Sequence, residues 1–262
     1  MKQLASVLFV LFFAAHACSQ TDSDRAEWVA SILDGSKMST AADQERILKF
    51  DFGPLWIRLH DNDSVLGYIG DNYQRMRIAI LTATKHPSQP ETYNVTGKSM
   101  VKGVVRAFTG TMKITKTGST PAPELDEDYK GEQLKEAGFV FGEYHFAEDA
   151  KQTNTGIFDG VFVTYWIVDR NGRLRYDEVL MGADGYLNNQ FAGTWTSYRT
   201  KASKPASWGD SRIPVSGALD IGAGEFLPDE KYIRNGWQGY REAYGVKQDK
   251  RALAEERKQW WR

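Results

Sequence analysis

The chain has 262 residues, 41% of them hydrophobic and 13% aromatic, with 33 Lys and Arg against 34 Asp and Glu and a single cysteine. This composition excludes a disordered tail, the balanced charge excludes the basic excess of a nucleic-acid binder, and one cysteine excludes a disulfide framework. The length fits one large or two small domains, and all-β folds often reach about 250 residues as a single one.

Residues 1–17 carry Lys2, an apolar run from Leu4 to Ala14, and the small-residue exit Ala15-His16-Ala17, which together read as an export signal. The run is shorter than the roughly 20 residues of a membrane-spanning helix, and no later stretch approaches that length. The only cysteine, Cys18, follows directly. Here the segment resembles the lipobox of bacterial lipoproteins, with Ala15 where that family prefers Leu. The resemblance implies lipidation of the Cys18 thiol, cleavage before it, a polar tether over residues 18–24, and a place on a membrane of the bacterial cell envelope. The alternative is ordinary signal-peptidase cleavage at Ala15-His16-Ala17, releasing a soluble secreted protein with a free thiol. An unpaired cysteine in an exported chain favours the lipoprotein. The leader holds only one basic residue, Lys2, so the mature chain stays near neutral and has no one-signed field to steer nucleic acid or an acidic membrane.

Residues 25–53 read as a helical segment. Asp24 with Glu27 caps a helix carrying Trp28, Val29, Ile32 and Leu33, and Asp34-Gly35 stops it. A weaker helical pattern runs from Thr40 to about Lys49. From Pro54 the period becomes two, and residues 54–228 form the β domain. Strands are predicted over Leu55–His60, Val65–Ile69, Tyr73–Leu81, Thr92–Met100, Gly103–Thr115, Gly138–Glu148, Gly156–Val168, Arg173–Asp177 and Asn189–Thr200. In Tyr73–Leu81, Met76, Ile78 and Ile80 share one face and Arg75 and Arg77 the other. Asp169-Arg170-Asn171-Gly172 is a hairpin turn, and the acidic, proline-bearing Thr117–Lys130 reads as an exposed loop. Residues 229–262 form a C-terminal helical segment. In it Val246, Leu253 and Trp260 fall seven apart and make an apolar stripe that docks on the sheet.

Short polar turns between successive strands imply an antiparallel meander, and closure into a barrel disposes of its edges. Gly110, Gly142, Gly160 and Gly193 suit the bends of a small barrel. A two-sheet sandwich is the alternative. Gly193-Thr194-Trp195 with Arg199 resembles a motif of lipocalins and other calycins, which implies a tryptophan closing one barrel end under an arginine. In lipocalins that motif opens the first strand, whereas here it falls near the end of the series.

Three clusters carry candidate chemistry. Glu143 and His145 share a strand face about 7 Å apart, an acid/base couple to which Asp220 adds a carboxylate. Trp208, Arg212 and the glycine-rich stretch to Phe226 read as a ligand rim with Trp195 and Arg199, or as a plug in which Arg212 pairs with Asp210 or Asp220. No HExxH, cysteine pair, phosphate-loop spacing or Gly-x-Ser-x-Gly occurs, so no metal or cofactor is implied. The expected function is binding of a small apolar or carbohydrate ligand, or of an envelope protein. The alternatives are a hydrolase or isomerase using the Glu143/His145 pair, and a structural envelope assembly component. Binding predicts an aromatic-lined cavity open at one end, catalysis predicts Glu143 and His145 pointing into it, and assembly predicts an exposed C-terminal stripe.

Overall fold

Nine strands form one antiparallel sheet in the computed structural model, which describes residues 22–262, and in most of them inward apolar residues alternate with outward polar ones. The export signal, Cys18 and the start of the tether lie outside the described residues. The strands are β1 (Val65–Ile69), β2 (Gln74–His86), β3 (Gln89–Val101), β4 (Val104–Pro121) and β5 (Leu134–Glu148). They continue with β6 (Gly156–Asp169), β7 (Leu174–Tyr176), β8 (Asn188–Ser197) and β9 (Ser203–Asp210). Eight of them pair in a cycle, β1-β2-β3-β4-β5-β6-β8-β9, and β9 returns to β1 through Val65↔Asp210 to Ile69↔Ala206. One edge of β6 is shared in turn by β8, over Gly156–Val163, and by β7, over Trp166–Val168. The sheet's hydrogen bonding therefore closes on itself, which the continuous meander predicts.

The helical elements are α1 (residues 22–34), α2 (Ala41–Ile47), α3 (Gly53–Trp56), α4 (Gln238–Tyr244) and α5 (Lys250–Glu256). Helix α1 belongs to a unit ending at Ser36, and Lys37–Arg262 is a second compact unit. The predicted stop at Asp34-Gly35 holds, and Thr40 caps α2 by accepting a hydrogen bond from the Asp43 amide.

Four expectations are corrected. Leu55–His60 is not a strand: Pro54 presets the first turn of α3, and the adjacent Leu55 and Trp56 are both buried rather than alternating. The first part of Thr117–Lys130 is not a loop, because β4 resumes after a bulge near Thr115 and pairs through Pro121↔Glu136. Its Gly118 makes room for the Phe139 ring, whose Cε1 lies 2.1 Å from where a Cβ would stand. Strand β9 escapes prediction because its inward positions are only Ala206, Trp208 and Asp210, too few apolar residues to mark a period. The C-terminal stripe does not form. Asp249 caps α5 so late that Val246 lies outside the helix with 106% exposure, and Trp260 lies past its end, donating to Asn62 Oδ1 at 2.9 Å.

The inside of the strand ring is filled. Phe108 stacks on Phe146 at 4.8 Å, Trp208 on Phe191 at 4.8 Å, and Phe162 on Phe191 at 5.7 Å. Tyr144 fits only because Gly160 and Gly193 face each other across β6 and β8; a Cβ on Gly193 would stand 2.5 Å from its hydroxyl. At one end α2, α3 and the link between them insert Ile47, Phe52, Leu55 and Trp56, and Trp166 packs against Phe52. A second core lies on the outer side of β1, where Leu66 and Tyr68 meet Ile213, Leu219, Phe226 and Trp237.

Candidate functional site

Two polar centres follow from this packing. The first is buried at the plugged end of the strand ring. A bulge between Asn188 and Phe191 in β8, with Asn189 at φ +44°, turns the Asn189 side chain inward. Asn189 donates to Asp210 Oδ2 at 3.1 Å and to the Leu55 carbonyl at 2.9 Å, and its Oδ1 accepts from Thr164 at 2.8 Å. Tyr176 donates to the same Asp210 oxygen at 2.6 Å, and Trp56 Nε1 donates to Thr164 at 2.8 Å. The Arg58 guanidinium lies 4.1 Å over the Tyr176 ring, 3.0 Å from Asp61 and 3.6 Å from Asp210. A void of about 20 Å³ beside these residues has room for one water molecule.

Burial pushes the Asp210 carboxyl up to about 6, against the opposing pull of the Tyr176 hydrogen bond and Arg58. The folded protein thus holds this proton more tightly than the unfolded chain does, so the contribution of Asp210 to stability is greatest below the unfolded value near 3.8 and is lost as pH rises toward 6. Urea titrations of the parent and Asp210→Asn are expected to show the variant gaining on the parent from pH 4 to pH 7. A difference flat in pH would refute the assignment.

The second centre is an open cleft of about 230 Å³ outside the strand ring, at the edge of the second core. Its walls are the 181–186 loop, the 211–226 stretch, Asp63 and Ser64 before β1, and α4. Tyr240 and Tyr244, one helical turn apart on α4, present their rings 4.8 Å apart, and Phe226 meets Tyr240 edge-on at 5.4 Å. Arg212 orders the 211–228 stretch, with Nε 2.8 Å from Asp220 and the two terminal nitrogens donating to the Gly224 and Gly222 carbonyls at 2.7 and 3.0 Å. Asp220 in turn accepts from the Gly222 and Leu227 amides at 3.0 and 3.1 Å. Of the two partners foreseen for Arg212, the structure selects Asp220.

The residues singled out in the sequence are scattered. Glu143 and His145 stand on the outer face of β5, exposed, while Tyr144 and Phe146 point in. His145 Nδ1 meets Asp159 Oδ1 at 2.5 Å, both side chains being 53% exposed. Neither lines the cleft, and Asp220 is committed to Arg212, so the three residues advanced for catalysis are not brought together. Trp208 belongs to the core and reaches no ligand surface. Trp195 is half-buried at the end of the strand ring opposite α3, and its Nε1 donates to Glu148 Oε2 at 3.0 Å. Glu148 also accepts from Ser99 Oγ at 2.7 Å and the Gly156 amide at 2.9 Å. Arg199 is exposed in the β8–β9 turn. Of the four ligand-binding candidates, only Arg212 lines the cleft.

The cleft's tyrosines carry little signal in the sequence, because Tyr240 and Tyr244 sit in the C-terminal helical segment and Tyr186 lies between predicted strands, in a stretch without a period. The spacing of Tyr240 and Tyr244 at i and i+4 is the one signal that pointed to a shared face. Among the described residues no cluster of three metal-ligating side chains is found, and no helix is long and apolar enough to cross a membrane. Comparison with known proteins returns no matching family model, no matching curated protein and no matching solved structure.

Proposed function

We propose that the protein is an exported, lipid-anchored binding protein of the bacterial envelope, and that its ligand is a small molecule held in the cleft beside β1. The closed strand ring is read as a small barrel with a lipocalin-like Gly193-x-Trp195 strand, used as a scaffold rather than as a container. The observation that carries the reading is the cleft itself, in which an aromatic wall faces charged and polar side chains around an ordered loop. At about 230 Å³ it is smaller than the roughly 300–1,000 Å³ of a drug-sized site, which suits a ligand of one sugar or headgroup. The filled interior speaks against a ligand inside the ring, and the outward position of Glu143 and His145 speaks against catalysis by that pair. Anchoring through Cys18 rests on the leader sequence alone.

Calorimetric screening of the mature chain against monosaccharides, amino sugars and small amines is expected to give a ligand whose affinity falls at least tenfold in Tyr240→Ala and is unchanged in His145→Asn. Binding indifferent to Tyr240 would overturn the site. Incorporation of labelled palmitate, lost in Cys18→Ser, is the matching test of the anchor, and unmodified protein recovered wholly in the soluble fraction would refute it.

A further inference from the structure

We infer that the cleft selects an organic cation, a primary or methylated ammonium group on a small apolar frame. The inference rests on the cleft reading above and adds the chemistry of the occupant. The first support is the aromatic wall. Tyr186, Phe226, Tyr240 and Tyr244 all line the space, and tyrosine faces attract an ammonium through the ring quadrupole while tolerating its methyl or methylene groups. The Tyr240 and Tyr244 hydroxyls are held above their ordinary values by burial, and in Tyr244 also by its bond to Asp63, so both stay protonated; the Tyr240 ring already meets one cation, the Arg75 guanidinium 5.5 Å from its centroid.

The second support is the charge balance. The lining holds three carboxylates, Asp63, Asp184 and Glu225, and one cation, Arg212. The charge of Arg212 is matched by Asp220, and that of Asp63 by Arg257 at 3.1 Å. Asp184 and Glu225 are exposed, and among the described residues neither has a cationic side chain within salt-bridge distance. An anionic ligand would meet two uncompensated negative charges, whereas a cation is drawn in by them. Asp184 packs closely on the Gly224 backbone, its Oδ1 2.5 Å from where a Cβ on Gly224 would stand. The Gly185 amide donates to the Gly224 carbonyl at 2.8 Å and ties the two loops together.

The third support is an apolar surface on the same two loops. Met181, Leu187, Ile221 and Leu227 are 45%, 37%, 56% and 44% exposed, and Met181 lines the cleft directly. Beside an acidic aromatic recess, such side chains suit the hydrocarbon part of an amphiphilic amine. The ammonium comes either from a free small molecule or from a lipid headgroup, and the chemistry recognised is the same.

The test compares choline with its uncharged carbon analogue 3,3-dimethylbutan-1-ol on the full mature chain by calorimetry, and adds phosphatidylcholine vesicles as a separate arm. Choline is expected to bind at least tenfold more tightly than the analogue, and more weakly at high salt. Asp184→Asn with Glu225→Gln is expected to remove that preference and leave the analogue unaffected. These two side chains are exposed, so the variant keeps its fold, which its unfolding midpoint checks. Equal affinity for both probes, lost in Tyr240→Ala, overturns the cation and keeps the cleft. Failure of choline, tetramethylammonium and spermidine alike overturns the cation, and a Tyr240-dependent neutral sugar in the same screen shows the cleft reading standing without it. Binding to vesicles but not to free choline assigns the ammonium to lipid, and the reverse assigns it to a soluble amine.

Discussion

Glu256→Ala is expected to lower the unfolding free energy by about 3–5 kcal/mol in denaturant titrations, the cost of leaving buried charges without their partner. Glu256 lies on α5 and is 7% exposed in its side chain. It receives Arg75 through two bonds of 2.8 and 2.5 Å, while the Arg77 guanidinium donates to its backbone carbonyl at 2.5 Å. Both arginines are 10% exposed, and burial, with Arg75 alongside, lowers the affinity of Arg77 for its proton. Removing the carboxylate leaves two desolvated guanidinium groups on the outer face of β2. The neighbouring Glu255→Ala is the control: its partner Lys258 is 64% exposed, and the pair is expected to contribute well under about 1 kcal/mol. Equal losses in the two variants would show that the docking of α5 does not depend on this centre.

Trp208→Ala is expected to cost about 3–5 kcal/mol as well, by a different cause, the cavity left in a filled interior. The indole is stacked on Phe191 at 4.8 Å with planes 11° apart, and meets Tyr144 and Phe158 edge-on at 5.1 and 6.2 Å. Whatever fraction remains folded is expected to bind the cleft ligand with the parent's affinity, because Trp208 does not line that cleft. Calorimetry below the variant's midpoint checks this. A lost ligand in a still-folded variant would return Trp208 to the binding site.

The two variants divide what the sequence makes legible from what it does not. Arg75 and Arg77 opposite Met76, Ile78 and Ile80 are readable from period two, and the structure keeps them on opposite faces. Their partner Glu256 stands 181 residues from Arg75, and nothing local in a charged helix distinguishes it from Glu255. The same holds for the site. Alternation finds most strands, since each strand's inward set is long enough to count. It fails at β9 and at α3, where two or three residues are placed by tertiary contact alone. Trp208 reads as a rim residue because it stands among glycines, yet the adjacent Gly209 packs under the Gln190 side chain, where a Cβ would stand 2.1 Å from Nε2. Arg212 is the opposite case, since the short stretch that follows it supplies its partners, Asp220 and the Gly222 and Gly224 carbonyls, within twelve residues. The cleft as a whole is illegible because Asp63, Asp184, Phe226 and Tyr240 come from four separate segments.

The pairing of β1 with β9 governs how the chain acquires its structure. Val65 and Asp210 are neighbours in the sheet but lie far apart in the chain, so the last seam is a non-local contact of the kind that slows folding. A chain emerging N-terminus first can assemble β1 to β6 by hairpins, but it waits for residues 203–210 before the circle is complete. Until then β1 and β8 each present an unpaired edge, the state most open to strand addition between chains. Truncation before Ser203 would make that passing state permanent, and self-association rather than simple loss of stability would be its mark.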